Sequence, residues 1–329
     1  MARPQPDTLP ERVFVSGGNG FIGRALMVRY RELGANICGV DLHSAPDWKV
    51  AGADFTRPGE WQHLLKGCDL VLHTAALVTN TASMADAWRV NVKATAELLR
   101  ASAEAGVQRF IHLSSVAAYG FDFPDNVAED WPLKPIGNSY VDTKIASEHA
   151  TLACHSAQRM DCTIIRPGDV YGPGSRPWVI APLQMMQANR FLLPAHGQGI
   201  FSPVYVDDLI DGIVQAAGQS GAAGQIYNIG GGPGVTCETF FGYHAAMLHG
   251  APLRRVSTPV ALLLAESACR VTELFGGTTD LGRGTIDMLS RRGSYSIEKA
   301  SRELGYTPLI ALDEGMQRTQ AWAEEQALI

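Results

Sequence analysis

The feature that most constrains the fold is an alternation, in the first half of the chain, between short β-branched runs and longer helical patterns. The helical patterns cover residues 21–34 and 83–106, and each ends at a glycine. The strand-like runs lie around them: RVFVSGG (12–18), NICGVD (36–41), DLVLHTAA (69–76), VQRFIHLSS (107–115) and CTIIRPGDVYG (162–172). Strands separated by helices indicate βαβ units with right-handed crossovers. The pattern therefore predicts an α/β fold with a doubly wound parallel sheet of the Rossmann type.

The order weakens after about Pro173, where glycine, proline and short apolar pieces alternate. We expect residues 11–177 to form the Rossmann domain. Residues 178–329 should form mainly a smaller, less regular lobe, with segments near 200–232 returning to the Rossmann domain. Such a lobe would cap the sheet edge at which the strands end, where ligands of open α/β sheets bind.

Composition and charge exclude several classes of function. The 329 residues are 46% hydrophobic, and 27 Lys and Arg stand against 33 Asp and Glu, for a formal charge of −6. Because nucleic-acid-binding proteins usually show a basic face, no nucleic-acid partner is expected. The six cysteines are scattered without a C-x-x-C pair. This predicts reduced, mostly buried thiols, and neither a metal site nor a disulfide framework.

The chain shows no sign of a membrane segment. Its N-terminal stretch, MARPQPDTLPERV, is polar and lacks the apolar core of a signal peptide. The most apolar run, PVALLLAESA (259–268), is too short to span a bilayer. We therefore expect a cytoplasmic protein without a membrane span.

Three glycines, Gly17, Gly20 and Gly23, stand between the first predicted strand and the first predicted helix, in VFVSGGNGFIG. In this context the first glycine permits a tight turn, and the second lets a diphosphate approach the backbone. The third allows the helix to pack closely on the strand. The N–H groups at the helix start, at Phe21 and Ile22, would then face the phosphates. The motif predicts a dinucleotide site.

Two acidic residues could bind the adenosine half of the dinucleotide. Asp41 ends the second predicted strand, where a carboxylate can hydrogen-bond the ribose hydroxyls. Residues 42–44 include no arginine for a 2′-phosphate, so NAD is favoured over NADP. Asp54, followed by Phe55, ends the third predicted strand and could meet the adenine amino group. For each aspartate, the alternative is a strand-end residue that caps a turn.

Three side chains are candidates for the chemistry. Ser115 ends the run 107–115, and Tyr140 and Lys144 stand four residues apart, which puts both on one face of a helix. Pairs with this spacing also arise by chance. If the three converge on one substrate oxygen, Tyr140 can move a proton and Ser115 can orient the oxygen. Lys144 and the positive nicotinamide ring would then lower the pKa of Tyr140 from its usual value of about 10.

The sequence resembles the extended branch of the short-chain dehydrogenase/reductase superfamily, of the NAD-dependent epimerase/dehydratase type. The matching motifs, in family order, are GGNGFIG, HTAA, Asn91 of RVNVKATAELL, SSVAAYG, YVDTK, RPGDVYGPG, VYVDDL and YNIGGG. They cover nearly the whole chain. The glycine motif joined to Tyr-x-x-x-Lys and an upstream serine is highly specific for this superfamily.

The resemblance implies roles for particular residues. The family's catalytic triad corresponds to Ser115, Tyr140 and Lys144, with Ser114 the less favoured serine, and Lys144 also holds the nicotinamide ribose. Further residues would line the cofactor: Thr74, Ala75 and Ala76 beside it, and Pro167 and Val170 on the nicotinamide side.

Positions at which this chain differs from the dehydratase and epimerase sequence patterns help to distinguish these groups of the extended branch. Sugar-nucleotide dehydratases usually carry Asp-Glu where this chain has Val116 and Ala117, which cannot move a proton. Sugar-nucleotide epimerases typically carry an Asn where this chain has Asp169, and an Arg where it has the neutral stretch IFSPVY. The resemblance is closest to the 3β-hydroxysteroid dehydrogenase-like group, which RPGDVYGPG and RRGSYSIEKASRELGYTPL both fit.

Apolar side chains at helical spacing occupy residues 181–197 and 258–276. They suit the wall of an apolar pocket, and they suit a core equally well. We thus expect an NAD-dependent oxidoreductase acting on a secondary alcohol or ketone of a hydrophobic small molecule. Two alternatives stay open, a nucleotide-sugar 4-epimerase and a non-catalytic dinucleotide-binding sensor. Family analogy further implies a homodimer formed by the helices that carry Asn91 and Tyr140.

Overall fold

The computed structural model describes residues 8–79, 82–274 and 282–329. The strands in these residues are β1 (Arg12–Ser16), β2 (Asn36–Asp41), β3 (Val50–Gly52), β4 (Leu70–His73), β5 (Arg109–Leu113), β6 (Asp161–Pro167), β7 (Asp169–Tyr171), β8 (Leu192–Leu193), β9 (Ile200–Phe201), β10 (Pro203–Tyr205), β11 (Ile226–Ile229), β12 (Val235–Thr236) and β13 (Arg254–Arg255). Seven of them form one parallel sheet in the order β11-β6-β5-β4-β1-β2-β3.

The helices lie between these strands and after β13. They are α1 (Phe21–Glu32), α2 (Met84–Trp88), α3 (Ala94–Glu104), α4 (Ser139–Ser156), α5 (Ala181–Gln187), α6 (Val206–Gly218), α7 (Cys237–Met247), α8 (Thr258–Leu274), α9 (Arg283–Leu289), α10 (Glu298–Leu304) and α11 (Leu312–Glu325). A π-helical turn (Arg89–Lys93) joins α2 to α3. Within the described ranges, no helix is both long enough and apolar enough to cross a membrane.

The central strand β1 is buried from both sides, as a strand of a doubly wound sheet must be. Val13 and Val15 pack with Leu26 of α1 on one face. Phe14 points the other way and packs with Leu98 of α3. All of these side chains are at most 1% exposed. Helices therefore cover both faces of the parallel sheet, which confirms the predicted Rossmann-type fold.

Two predicted elements are interrupted. The run 162–172 is not one strand, because the chain leaves the main sheet at Gly168 and continues as β7, which pairs with β10. A Cβ on Gly168 would lie 2.6 Å from the carbonyl oxygen of Ser202, so only glycine permits this close approach. The helix predicted over residues 83–106 is divided by the π-helical turn, which a pattern of 3.6 residues per turn does not reveal.

The elements α5, β8, β9, β12, α7, β13, α8 and α9 lie outside the main sheet, and we use the term C-terminal lobe for them; that they form a substrate-binding unit stays a prediction. Its pairings are short, β12 with β9 and β13 with β8. Between the two parts of this lobe the chain returns to the Rossmann fold. There, α6 packs against α1 and β11 joins the main sheet beside β6.

Some predicted features fall outside the described residues. These are residues 1–7 of the polar N-terminus, the thiol of Cys269, and the end of the apolar stretch 258–276. The other five cysteines are free, with Cys68, Cys162 and Cys237 buried and the remaining two partly buried.

Candidate active site

The glycine motif forms a tight turn between β1 and α1. Gly17 has a φ of +75°, and a Cβ there would lie 2.9 Å from both the Ala75 nitrogen and Thr74 Oγ1. A Cβ on Gly23 would lie only 2.0 Å from the carbonyl oxygen of Gly17. The helix and the loop are therefore so close at Gly17 and Gly23 that only glycine fits at these two positions. Thr74 and Ala75, predicted beside the cofactor, do abut this loop, and half-buried Ala76 follows them.

The start of α1 is suited to an anion. Its N-cap is Gly20, and in the described structure no side chain caps it and its first turn holds no acidic residue. The first N–H groups of a helix have no partner within the helix. Those of Phe21 and Ile22 can therefore bind phosphate oxygens beside the bare backbone of the loop. The residues present fit the diphosphate of a dinucleotide.

Asp41, at the end of β2, holds the glycine loop in place. Its Oδ2 accepts a hydrogen bond from the Asn19 nitrogen at 2.9 Å, and its Oδ1 accepts one from the Leu42 nitrogen at 2.7 Å. Each carboxylate oxygen can accept a further bond, so the turn-capping role and the ribose-binding role are compatible.

Sequence reasoning missed a cation at this edge. Arg24 Nη2 donates to Asn19 Oδ1 at 2.6 Å, and the guanidinium lies 4.4 Å from the centre of the Trp48 ring. Arg24 comes from α1 and not from residues 42–44, where a 2′-phosphate ligand was sought. Its bond to the Asn19 side chain places it beside the same residue whose backbone Asp41 binds.

The prediction that Asp54 ends the third strand is wrong, because β3 stops at Gly52. Asp54 Oδ1 accepts from the nitrogen and the hydroxyl of Thr56, at 3.0 and 2.7 Å. These hydrogen bonds lower the pKa of Asp54. The ring of Phe55 packs edge-on against His73 in the core, with 5.6 Å between ring centres. Asp54 therefore caps a turn and the Phe55 ring packs in the core, while the contact of these two residues with the adenine stays a prediction.

Ser115 and Tyr140 meet where β5 ends and α4 begins. Ser115 is the N-cap of a short 3₁₀ turn (Val116–Tyr119), and its Oγ accepts from the Ala117 nitrogen at 3.1 Å. Asn138 caps α4 by accepting from the nitrogens of Tyr140 and Val141, both at 3.0 Å. The Ser115 side chain lies close enough to the Tyr140 phenol to lower its pKa. The two hydroxyl groups are thus brought together by elements that are distant in sequence.

Lys144 lies behind this pair and is 4% exposed. Its Nζ donates to the carbonyl oxygen of Leu113 at 2.7 Å and lies 5.8 Å from the centre of the Tyr140 ring. Burial lowers the pKa of Lys144 to about 8, against an opposing effect of Glu148.

The expectation that Lys144 lowers the pKa of Tyr140 does not describe this structure. Burial raises the pKa of the phenol, and the nearby Ser115 side chain acts in the opposite direction. The Lys144 ammonium is directed to a main-chain carbonyl. Burial therefore dominates the titration of Tyr140.

Pro167 and Val170 flank the point where the chain leaves the main sheet. Pro167 ends β6 and pairs with Ile229 of β11. Val170 lies in β7, and its carbonyl oxygen accepts from Ser175 Oγ at 3.0 Å. Because β5 and β6 are parallel neighbours, these residues lie at the same edge of the sheet as Ser115.

Asn91 has a role that the motif alone does not show. It lies in the π-helical turn and is 2% exposed. Its Oδ1 accepts from the Leu77 nitrogen at 2.7 Å, and its Nδ2 donates to Thr143 Oγ1 at 3.1 Å. Asn91 thereby joins the segment beside the glycine loop to the helix that carries Tyr140 and Lys144.

Asp169, found where epimerases typically carry an Asn, forms a buried ion pair with Arg291. The two residues are 5% and 4% exposed. Asp169 Oδ2 also accepts from the Ser202 nitrogen at 2.9 Å, and Arg291 Nε donates to the Ile200 carbonyl oxygen at 2.9 Å. Sequence reasoning found no cation in this region, since Arg291 is far away in the chain. The structure supplies one whose charge is already neutralised.

Comparisons with known proteins agree with this geometry. The model of the NAD dependent epimerase/dehydratase family matches residues 13–230. A relative from Mycobacterium tuberculosis described as 3 beta-hydroxysteroid dehydrogenase/Delta 5-->4-isomerase is 28% identical, covering 93% of this chain and 88% of the relative. The dTDP-glucose 4,6-dehydratase of Streptomyces griseus is 28% identical, covering 79% of this chain and 73% of the relative.

Among solved structures, MoeE5 in complex with UDP-glucose and NAD superposes with a TM-score of 0.78 at 24% identity, covering 96% of this chain and 99% of the other. At that identity the likeness concerns the fold. The family match and these relatives confirm the predicted class of NAD(P)-dependent oxidoreductase. The chain belongs to the NAD dependent epimerase/dehydratase family and is an extended short-chain dehydrogenase/reductase.

Proposed function

We propose that this enzyme moves a hydride between NAD and a secondary alcohol or ketone of a hydrophobic substrate, in the manner of a 3β-hydroxysteroid dehydrogenase. The observation that carries the proposal is the approach of the Ser115 side chain to the Tyr140 phenol, with Lys144 buried 5.8 Å from the centre of the Tyr140 ring and bonded to the Leu113 carbonyl oxygen. The pair lies at the carboxyl edge of the sheet, where an open α/β fold binds its ligands.

The proposed chemistry divides between the three side chains. A nicotinamide bound at this edge would supply the hydride acceptor for oxidation of the alcohol and the hydride donor for reduction of the ketone. Tyr140 takes the hydroxyl proton in oxidation and returns it in reduction. Ser115 donates a hydrogen bond to the same substrate oxygen and stabilises its developing charge. Lys144 Nζ, bonded to the Leu113 carbonyl oxygen, has two further N–H donors with which it would hold the nicotinamide ribose.

The residues around Ser115 support hydride transfer without removal of water. Val116 and Ala117 are 3% and 8% exposed and carry no group that titrates. An acid/base pair at these positions is what a dehydratase would require. Tyr140 is accordingly the general acid and base in this proposal.

The Asp169–Arg291 pair supports a substrate without a diphosphate. Because the Asp169 carboxylate already neutralises Arg291, the guanidinium offers little attraction to a phosphate group. The two residues occupy the region in which the epimerase pattern calls for polar and cationic side chains. The resemblance to relatives named as 3β-hydroxysteroid and sterol-4-alpha-carboxylate dehydrogenases supports an apolar, sterol-like substrate.

The cofactor proposed is NAD rather than NADP, because the Asp41 carboxylate at the ribose edge would repel a 2′-phosphate. We also propose a homodimer formed through α2, α3 and α4. Met84 and Trp88 on the outer side of α2 are 41% and 40% exposed, as expected for side chains that a partner subunit covers.

The test is turnover of NAD⁺ by the purified protein with a panel of hydrophobic alcohols that includes a 3β-hydroxysterol. Tyr140→Phe should lower kcat by about 10²- to 10⁴-fold, because it removes the proton-transfer group. Tyr243→Phe is a matched control, since Tyr243 bonds Asp313 on the exposed side of α7, away from Ser115.

Each alternative predicts a different result. A nucleotide-sugar 4-epimerase would interconvert UDP-glucose and its 4-epimer and ignore the sterol. A dinucleotide sensor would bind NAD without turning over any alcohol. Equal kcat for Tyr140→Phe and the wild type would contradict the assigned role of Tyr140.

A further inference from the structure

A buried ion pair lies under the helix that carries Tyr140 and Lys144. Glu148 and Arg166 have side chains that are 1% and 2% exposed. Arg166 Nε and Nη2 donate to the two carboxylate oxygens of Glu148, at 2.9 and 2.7 Å. This is the bidentate geometry in which such a pair is strongest. The proposed reaction makes no use of either residue.

Helix α4 is fastened to the end of β5 at two points. Lys144 Nζ donates to the Leu113 carbonyl oxygen at 2.7 Å, and Ser114 Oγ donates to Glu148 Oε1 at 2.5 Å. Lys144 and Glu148 stand one helical turn apart, so both lie on the face of α4 that meets the strand. Because Ser115 directly follows Leu113 and Ser114, these two bonds determine where its hydroxyl lies relative to Tyr140.

Glu148 is also the carboxylate that acts on the charge of Lys144. Burial disfavours the ammonium form of Lys144, and Glu148 opposes that effect. The other groups facing Lys144 are Tyr140 on its own helix and His73 and His112 on β4 and β5. Burial and the Lys144 charge lower the pKa of both histidines, so they are neutral at pH 7 and add no positive charge beside Lys144.

Hydrogen bonds lead from Arg166 toward the C-terminal lobe. Its Nη1 donates to the Tyr119 hydroxyl at 2.9 Å, and that hydroxyl donates to Asn228 Oδ1 at 2.9 Å. Asn228 Nδ2 donates to the Ser296 carbonyl oxygen at 3.1 Å, at the end of the lobe. Arg166 is therefore held from both sides, and it in turn fixes the carboxylate of Glu148.

We propose that Glu148, held by Arg166, is a positioning residue for the proposed reaction. Through Ser114 it places Ser115 against Tyr140, and through its charge it keeps Lys144 protonated at neutral pH. The inference rests on the proposed function for its catalytic meaning. The state of the Lys144 ammonium can be measured without any substrate.

The decisive variant is Glu148→Gln, which keeps the size of the side chain and removes its charge. We expect the Lys144 pKa to fall by about one unit or more, because an opposite charge is lost from a buried site. The high-pH limb of kcat/KM, which reports groups of the free enzyme, should move to lower pH by the same amount. Nuclear magnetic resonance of lysine ¹⁵Nζ in the cofactor-free protein follows the titration directly.

Two controls separate charge from position. Ser114→Ala breaks the bond to Glu148 without changing a charge, so kcat should fall while the pH limb stays in place. Tyr119→Phe removes one bond of Arg166 but keeps both bonds of Arg166 to Glu148 and every charge, so the lysine titration should not move. Glu148→Gln/Arg166→Met removes both buried charges, and it tests the same shift in a protein without an unpaired guanidinium.

The experiments distinguish failure of the role proposed for Glu148 from failure of the proposed reaction. If no alcohol is oxidised but the Lys144 titration shifts, the role of Glu148 in the charge of Lys144 stands and the proposed reaction does not. An unchanged lysine titration in both Glu148 variants would overturn the inference. It would also be overturned if Ser114→Ala matched the wild type in kcat and KM.

Discussion

Gly23 of α1 packs directly on the Gly17 carbonyl oxygen of the glycine loop, so Gly23→Ala is a sensitive test of the dinucleotide site. The new Cβ would start 2.0 Å from the Gly17 carbonyl oxygen, whereas real Cβ contacts essentially never fall under 3.0 Å. Helix and loop must therefore separate by about 1 Å, a shift that overpacked sites relieve at a cost of roughly 1–3 kcal/mol. Alanine regains only about 1 kcal/mol through its higher helix propensity.

The larger effect falls on cofactor binding. A shift of about 1 Å moves the N–H groups of Phe21 and Ile22 out of hydrogen-bond range of the phosphates, and each bond to a charged group contributes about 1.5–3 kcal/mol. Loss of both bonds corresponds to binding of NAD⁺ that is weaker by about a hundredfold or more. Isothermal titration calorimetry measures the dissociation constant, and thermal unfolding measures the accompanying loss of stability.

Gly242→Ala is the matched control. Gly242 also lies within a helix, α7, but a Cβ there would meet nothing within 4 Å. The intrinsic gain in helix propensity is the same in both variants, so the difference between them isolates the contact with Gly17. Gly242→Ala should raise the melting temperature and leave NAD⁺ binding unchanged. Wild-type affinity for NAD⁺ in Gly23→Ala would show that the loop binds the diphosphate without this close packing, contrary to our expectation.

Two further predictions concern buried charges. Asp169→Asn should leave the Arg291 charge uncompensated, so calorimetry should detect UDP binding that is at least about tenfold tighter than in the wild type. The double variant Asp169→Asn/Arg291→Met should abolish this gain. Equal UDP affinity in the wild type and the single variant would show that the pair does not exclude anions. His73 is 1% exposed, and burial lowers its pKa to about 3. Between about pH 6.5 and 3, only the unfolded chain binds a proton at His73. Each unit by which the pH falls in this range therefore lowers the free energy of unfolding by about 1.4 kcal/mol. Urea unfolding measured from pH 7.5 to 4 should show that the free energy of unfolding depends less on pH in His73→Gln than in the wild type. The same pH dependence in both proteins would contradict this account.

The parts of the fold that follow from local sequence were predictable. The β-branched runs and the glycine loop depend on neighbouring residues, and the position of Ser115, Tyr140 and Lys144 follows from strands that end at one edge. The buried pairs were not predictable, because Asp169 and Arg291 are separated by 122 residues and their pairing depends on the path of the whole chain. Glu148 and Arg166 were missed for a related reason, since on a sequence they read as ordinary members of a helix and a strand.

The π-helical turn shows why periodicity alone failed at Asn91. A π turn inserts one residue into the helical repeat. The apolar faces of α2 and α3 therefore do not follow a single 3.6-residue pattern. Asp54 illustrates a different limit, because a turn-capping aspartate and an adenine-binding aspartate look identical in a sequence.

The C-terminal lobe is built from two separate excursions of the chain, and this arrangement restricts how the protein can open. Each excursion begins and ends on the Rossmann fold, so four segments of backbone cross the boundary rather than one. A single flexible hinge could not swing such a lobe away as a rigid flap. Access for a bulky molecule would instead require loops at the rim to part locally, and a fragment ending near residue 177 would lack β11 and leave β6 as an exposed edge of the sheet.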